Sequence, residues 1–261
     1  MRNRRRRNGG VLAALVLAAA LALTPGPTHA AVFKLGSLAA GVGFENFSRT
    51  VAWKDDTGTS KIRASLITAR ADLGLGRGTI VSLSAGLAMT GFKGLGFTDL
   101  PISLELGSST LKGLTLGAEV LTPIAGFSDF EISGTGRIVY SLGMTKTWAL
   151  EDFAVEGKAT GKANWLEAAA GPRVSYLFFG RVVPYVEVWA RWLHAGFDMT
   201  ETLADLGGSQ ARTVRGDFSF SVAVGADAAV TDRVSVKAKA AILPYAGGVD
   251  GLAAIGIVYK F

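Results

Sequence analysis

Apolar and small or polar positions alternate along most of this chain, in segments of about ten residues. Between Gly216 and Val230, Phe218, Phe220, Val222, Val224, Ala226, Ala228 and Val230 share one parity. Asp217, Ser219, Ser221, Ala223, Gly225, Asp227 and Ala229 share the other. Side chains alternate faces along an extended strand, so this segment has one apolar face and one face of small or charged residues. After Thr231-Asp232 the pattern resumes, with Val234, Val236, Ala238, Ala240 and Ile242 opposite Ser235, Lys237, Lys239 and Ala241. The same division recurs upstream, as in Leu38, Ala40, Val42 and Phe44 against Ala39, Gly41, Gly43 and Glu45.

Counted in this way, strands are expected near residues 35–53, 61–76, 79–95, 111–122, 134–147, 164–179, 182–200, 212–230, 233–243 and 250–261. In the second of these the alternation is readable only from Ile67 onward, where Arg70 and Asp72 share the polar face; its first part is expected to stand above a membrane. Gly76-Arg77-Gly78, Gly180-Arg181 and Thr231-Asp232 are very short connections. The alternate ones, near 54–60, 96–110, 148–163, 201–211 and 244–249, are longer and polar. Short turns at one end and long loops at the other suit the periplasmic and external ends of a transmembrane barrel. The connection near 123–133 is too long for that scheme, which leaves eight or twelve strands open beside ten.

None of the apolar faces carries a charge. A Lys or Arg turned to lipid near the midplane costs roughly 2–4 kcal/mol, and a sheet in hydrocarbon must close on itself to pair its backbone. The opposite faces, rich in Gly, Ala and Ser, suit a crowded lumen. The expected fold is therefore all-β, a transmembrane antiparallel up-and-down barrel. A soluble periplasmic barrel is the alternative, in which the apolar face would point inward.

The first thirty residues read as a secretory leader. Arg2, Arg4, Arg5, Arg6 and Arg7 form a basic head, Val11 to Leu23 an apolar core, and the tail ends Thr28-His29-Ala30. Cleavage is expected between Ala30 and Ala31, leaving residues 31–261 as one barrel domain. This reading changes the charge argument. Whole-chain net charge is +6, from 27 basic and 21 acidic residues, and the pI is near 9.6. Five of the basic residues and none of the acidic ones lie in the leader, leaving 22 against 21. The case for a nucleic-acid partner disappears with it. With no cysteine, disulfides, thiolate metal sites and a lipidated cysteine anchor are excluded.

The chain ends Gly256-Ile257-Val258-Tyr259-Lys260-Phe261. A terminal phenylalanine, an aromatic two residues earlier and a glycine three before that resemble the closing-strand signal of bacterial outer-membrane β-barrel proteins. The resemblance implies that Gly256, Tyr259 and Phe261 are read by the barrel assembly machinery of a Gram-negative cell envelope. Ala254 stands where that family usually has a polar residue. Size and strand count resemble the small monomeric barrels of the outer membrane protein A and opacity-protein groups. The implied location is the outer membrane, with its lipid as the surrounding partner. Trp53, Trp148, Trp165 and Trp192 fall near predicted external strand ends, and Phe178, Phe179, Tyr185, Tyr259 and Phe261 near periplasmic ends, as aromatic girdles would.

Candidate chemistry is sparse. Outer-membrane proteases of the omptin type depend on acidic pairs and a histidine at the external rim, and membrane phospholipases and lipid A deacylases on Ser with His. After the leader only His194 remains, in Arg191-Trp192-Leu193-His194-Ala195, and it has no partner at those families' spacing. A hydrolase using His194 is kept as an alternative to a non-enzymatic barrel. Lys54-Asp55-Asp56-Thr57-Gly58 lacks the oxygen spacing of a calcium loop. No cofactor or metal is expected. The candidate functional residues are the charges expected to face the lumen: Glu45, Arg70, Asp72, Glu119, Arg137, Glu167, Arg173, Glu187, Arg191, Asp217, Asp227, Lys237 and Lys239. Seven acids against six bases suggest paired charges filling the interior, whereas a selective porin would show an excess of one sign. The expected role is a narrow pore or a structural and surface-interaction barrel.

Overall fold

The computed structural model describes residues 37–54, 58–100, 104–106, 110–150, 157–203, 205–214, 217–245 and 247–261, so the leader and its Ala30–Ala31 junction lie outside the described residues. The strands are β1 (Leu38–Ala52), β2 (Thr59–Gly76), β3 (Thr79–Lys93), β4 (Leu95–Phe97), β5 (Leu104–Leu106), β6 (Thr110–Phe127) and β7 (Phe130–Gly143). They continue as β8 (Lys146–Leu150), β9 (Gly157–Tyr176), β10 (Val182–Leu203), β11 (Leu206–Thr213), β12 (Asp217–Ala229), β13 (Val234–Tyr245) and β14 (Gly248–Lys260). Ten of them close a ring in the order β10-β12-β13-β14-β1-β2-β3-β6-β7-β9, with β9 paired back to β10. Every pairing is antiparallel, and the seam is sealed by β1 against β14 from Ala39↔Lys260 to Phe47↔Leu252.

The connection that broke the alternating scheme is a tight turn. Strand β6 runs on through Pro123 to Phe127, β7 begins at Phe130, and the two stay paired across a register shift between Pro123 and Ala125. Proline cannot donate to the ladder, and the bulge there absorbs it without ending the strand. Ser128 takes the positive φ that the turn requires. The start of β1, Phe261 and the β2–β3, β6–β7, β9–β10 and β12–β13 turns therefore lie at one end of the ring, called here the terminus end.

At the opposite, loop end the structure departs from the expected loops in several places, and the connection expected to be long near 244–249 is short, with Tyr245 paired to Gly248. Residues 148–163 and 201–211 are largely strand: β8 pairs with the start of β9, β10 with β9 and with β11, making a four-stranded extension beyond the ring. The β4–β5 hairpin in the connection between β3 and β6 folds over the mouth and buries Leu95 and Phe97. Strand β2 begins at Thr59, and its first part is regular but inverted, with Ile62, Ala64 and Leu66 buried inside and Arg63 exposed. That inversion is why its sequence looked untidy.

The outward face of the ring is apolar. Val42, Ile67, Leu83, Leu87, Leu116, Val188, Phe220, Val224, Ile255 and Ile257 are all exposed. Such a continuous apolar girdle on a closed sheet is what lipid requires.

Candidate functional site

The lumen is divided into two layers. In the terminus half, the inward positions of the ring carry charge. Arg137 on β7 donates through both terminal nitrogens to the two carboxylate oxygens of Glu45 on β1, each at 2.8 Å. Arg70 donates to Asp72 at 2.6 Å and to Ser82 at 2.7 Å, and Lys237 approaches Asp72 at 3.7 Å. Arg173 pairs with Asp227 at 2.8 Å and with Glu187 at 3.8 Å, and its guanidinium lies 3.5 Å from the centre of the Tyr185 ring. Glu187 also accepts the Trp189 indole N–H at 2.8 Å and has Lys239 at 3.5 Å. Arg191 donates to Glu167 and to Ser221, both at 2.8 Å. A charge taken out of water is tolerable only when it is paired and hydrogen-bonded, and these partners meet that condition.

Between these groups lies a cavity of about 160 Å³, lined among others by Glu45, Thr68, Arg70, Glu119, Arg137, Arg173, Tyr185, Glu187, Asp227, Lys237 and Lys239. Glu119 also faces it. Twelve of the thirteen charges singled out from the sequence thus sit on the inward side of the ring. The thirteenth, Asp217, begins β12 opposite Leu193, and its side chain lies outside the described residues.

In the loop half, the inward positions turn apolar. Phe47 and Val51 from β1, Trp53 just beyond it, Phe92 from β3, Leu111 from β6, Trp165 from β9 and Leu193, Phe197 and Met199 from β10 form one buried cluster with Leu95, Phe97 and Leu100 of the inward-folded hairpin. Phe97 meets Phe197 at 5.2 Å between ring centres, Phe92 meets Phe197 edge-on at 5.4 Å, and Phe47 meets Trp165 edge-on at 5.3 Å. The indole N–H groups are satisfied inside, Trp165 by Thr90 and Trp53 by Ser60. Trp53 and Trp165 therefore do not belong to an external girdle, and Tyr185 does not belong to a periplasmic one: all three are buried in the lumen. Trp148 packs against the same cluster. Trp192 faces outward, stacked on the exposed His194 at 6.0 Å.

Further polar groups on the inward side went unnoticed in the sequence: Arg49, Glu201, Arg212 and Asp250 are buried near the loop end. Asp250 accepts the Thr50 N–H and meets Lys61 at 2.8 Å. Counting parity on from Glu45 to Arg49, and from Arg191 to Glu201, is the signal that would have found two of them.

At the terminus end, Gly256 pairs with Gly43 and Lys237, and Tyr259 is half-exposed, touching Phe261 and accepting from Arg233 at 3.3 Å. Phe127, Phe130, Tyr176, Phe178 and Phe179 form a chain of ring contacts there. Among the described residues no group of three or more His, Cys, Asp or Glu could hold a metal ion.

Among solved structures the chain is similar to the outer membrane protease OmpT from Escherichia coli, at 12% identity and a TM-score of 0.54, covering 90% of this chain and 100% of that one. The chain has the fold of a bacterial outer-membrane β-barrel. The translocator domain of the autotransporter NalP from Neisseria meningitidis (11% identity, TM-score 0.49) covers 97% of this chain and 95% of its own. Ail, the attachment invasion locus protein of Yersinia pestis, gives 12% identity and a TM-score of 0.35 over 87% of this chain and 100% of its own. No family model matches the sequence, and no curated protein matches it. The fold and the charge-free apolar girdle place the barrel in the outer membrane.

Proposed function

We propose that this barrel is a closed, non-enzymatic outer-membrane protein with a structural and surface-interaction role, working as a monomer rather than as a pore. One observation carries the reading. The loop half of the lumen is filled by packed aromatic rings, with Phe97 buried completely, above a layer of paired charges. A permeating ion would have to displace an apolar core packed at the density of a protein interior. The four-stranded extension of β8 to β11 and the capped mouth then become the parts available to a partner. Gly256, Tyr259 and Phe261 are left to biogenesis, as ligands of the assembly machinery.

The test is single-channel recording from folded protein in planar bilayers. Flat traces up to 100–200 mV (on the order of 2–5 kcal/mol per elementary charge) are expected, and reproducible conductance steps would overturn the closed-barrel reading. A hydrolase built on His194 gains no support from its surroundings, because that ring faces outward beside Trp192 rather than into a cleft.

A further inference from the structure

At the loop end the outward face of one side of the ring changes character within a single step of the ladder. Below lie Leu87, Met89, Leu114, Leu116, Tyr140 and Leu142, all exposed to lipid. Above them stand Arg63 on β2, Lys112 on β6 and Lys162 on β9, with Lys93 on β3 and Lys158 on β9 further out along their strands; all five project outward because each is bounded by buried or inward neighbours such as Ile62, Phe92, Leu111 and Ala163. These strands are consecutive in the ring through β7. Register joins the cations: Lys112 lies opposite Met89 on β3, Arg63 opposite Gly91 two residues on, and Met144, just after β7, donates its N–H to the Lys112 carbonyl. Lys93 sits opposite Lys61, whose ammonium is already bound to Asp250.

None of the five forms an ion pair with a described residue, and the outward positions beside them on β2, β3, β6, β7 and β9 hold no acid. The one carboxylate in register is Asp198 of β10, opposite Lys162. Elsewhere around the loop end the outward positions are uncharged, as in Asn46, Ser48 and Thr50 of β1 and Ala240, Ile242 and Pro244 of β13. The cations are therefore one-sided.

We infer that this patch is a binding site for the phosphorylated sugar headgroup of an outer-leaflet glycolipid, with its acyl chains lying on the apolar strip beneath. The occupant follows from three features together. Among the described residues the only carboxylate in register with these cations is Asp198, so most of their charge is left for a multiply anionic group to balance. Arg63, Lys112 and Lys162 sit at the upper edge of lipid-facing Leu, Met and Tyr, so the same ligand must continue into hydrocarbon; Lys and Arg stems lie along such a surface with their charges raised to the headgroup level. And they lie at the long-loop end, which is the outer leaflet in a barrel whose termini and short turns face the periplasm. The inference rests on the membrane placement and not on whether the lumen conducts.

The test uses the full mature chain folded in nonionic detergent, titrated with bis-phosphorylated lipid A, with lipid A from which both phosphates have been removed, and with phosphatidylglycerol. Binding of the phosphorylated glycolipid at least tenfold tighter than either of the others is expected, weakening steeply with salt. The R63Q/K112Q/K162Q variant should lose at least tenfold, while Arg181→Gln, in a turn at the terminus end, should bind as wild type. If the triple variant folds poorly, as read by its heat-modifiable electrophoretic shift, Lys112→Gln alone should lose two- to threefold. Equal binding of lipid A with and without phosphate, or wild-type affinity in the folded variants, would overturn the site. Equal affinity for phosphatidylglycerol would overturn the glycolipid as its occupant.

Discussion

Arg137 and Glu45 face each other across the lumen as a two-pronged pair, both contacts at 2.8 Å, from strands that are not neighbours in the ring. The pair ties β1, beside the closing seam, to the far wall. Its side chains are mostly shielded from solvent, so removal of one partner strands the other. Glu45→Gln and Arg137→Gln are each expected to destabilise the folded barrel by about 3–5 kcal/mol. The double variant E45Q/R137Q should lose clearly less than the sum of the singles, as measured by denaturant unfolding in lipid vesicles. Additive losses would show that the pair is not coupled.

Tryptophan fluorescence should separate lumen from lipid. Trp53, Trp165 and Trp189 are buried inside and Trp192 faces outward beside Phe218. Brominated acyl chains are expected to quench Trp192 and to leave the three buried indoles bright, so that Trp192→Phe removes most of the quenching. Unchanged quenching in that variant would place another indole in the bilayer.

The outward face should be intolerant of charge where the lumen is not. Leu116, 61% exposed in mid-strand, lies between Ala85 and Tyr140 in the ladder. Leu116→Arg should cost roughly 2–4 kcal/mol of folding free energy into vesicles. A variant as stable as wild type would mean that this face does not meet hydrocarbon.

Between β9 and β10 the ladder has a gap, after Glu187↔Arg173 and before Ala190↔Ala170, next to Pro172. There a Cβ on Gly171 would fall 1.7 Å from the Val188 carbonyl oxygen, so the two backbones meet where no side chain fits. Gly171→Ala is expected to lose about 1–3 kcal/mol or more through displaced backbone, whereas Gly196→Ala, with open space at its Cβ, should be close to neutral. Equal melting of the two variants would refute the close approach.

Much of this architecture was legible in the sequence because lipid imposes a single rule over the middle of every strand: apolar outward, small or charged inward. Val42, Val222 and Ile257 obey it, and so do Glu45, Arg137 and Lys237. The rule fails where hydrocarbon ends. In β9, Gly157, Ala159, Gly161 and Ala163 point inward and Lys158, Thr160 and Lys162 outward, so a regular strand has the composition of a polar loop. Period-two counting places Phe47 and Trp53 on the face of Glu45, but periodicity alone does not tell an apolar plug inside the ring from apolar residues turned to lipid. Pro123 hid the β6–β7 turn for a different reason, since a bulge is a matter of backbone pairing and leaves no periodic mark.

The length of the two longest strands has a mechanical consequence. Strand β10 has 22 residues, which at roughly 3.3 Å each and a tilt near 40° reach about 55 Å along the membrane normal, against an apolar band of about 25 Å. From Ala190↔Ala170 to Leu203↔Gly157 the β9–β10 ladder runs without a break, beginning beside the Arg191–Glu167 pair and ending at the far tip. The extension is thus a stiff mast continuous with the barrel wall. A load applied at its tip reaches the charged floor of the lumen through backbone hydrogen bonds alone, with no hinge in between.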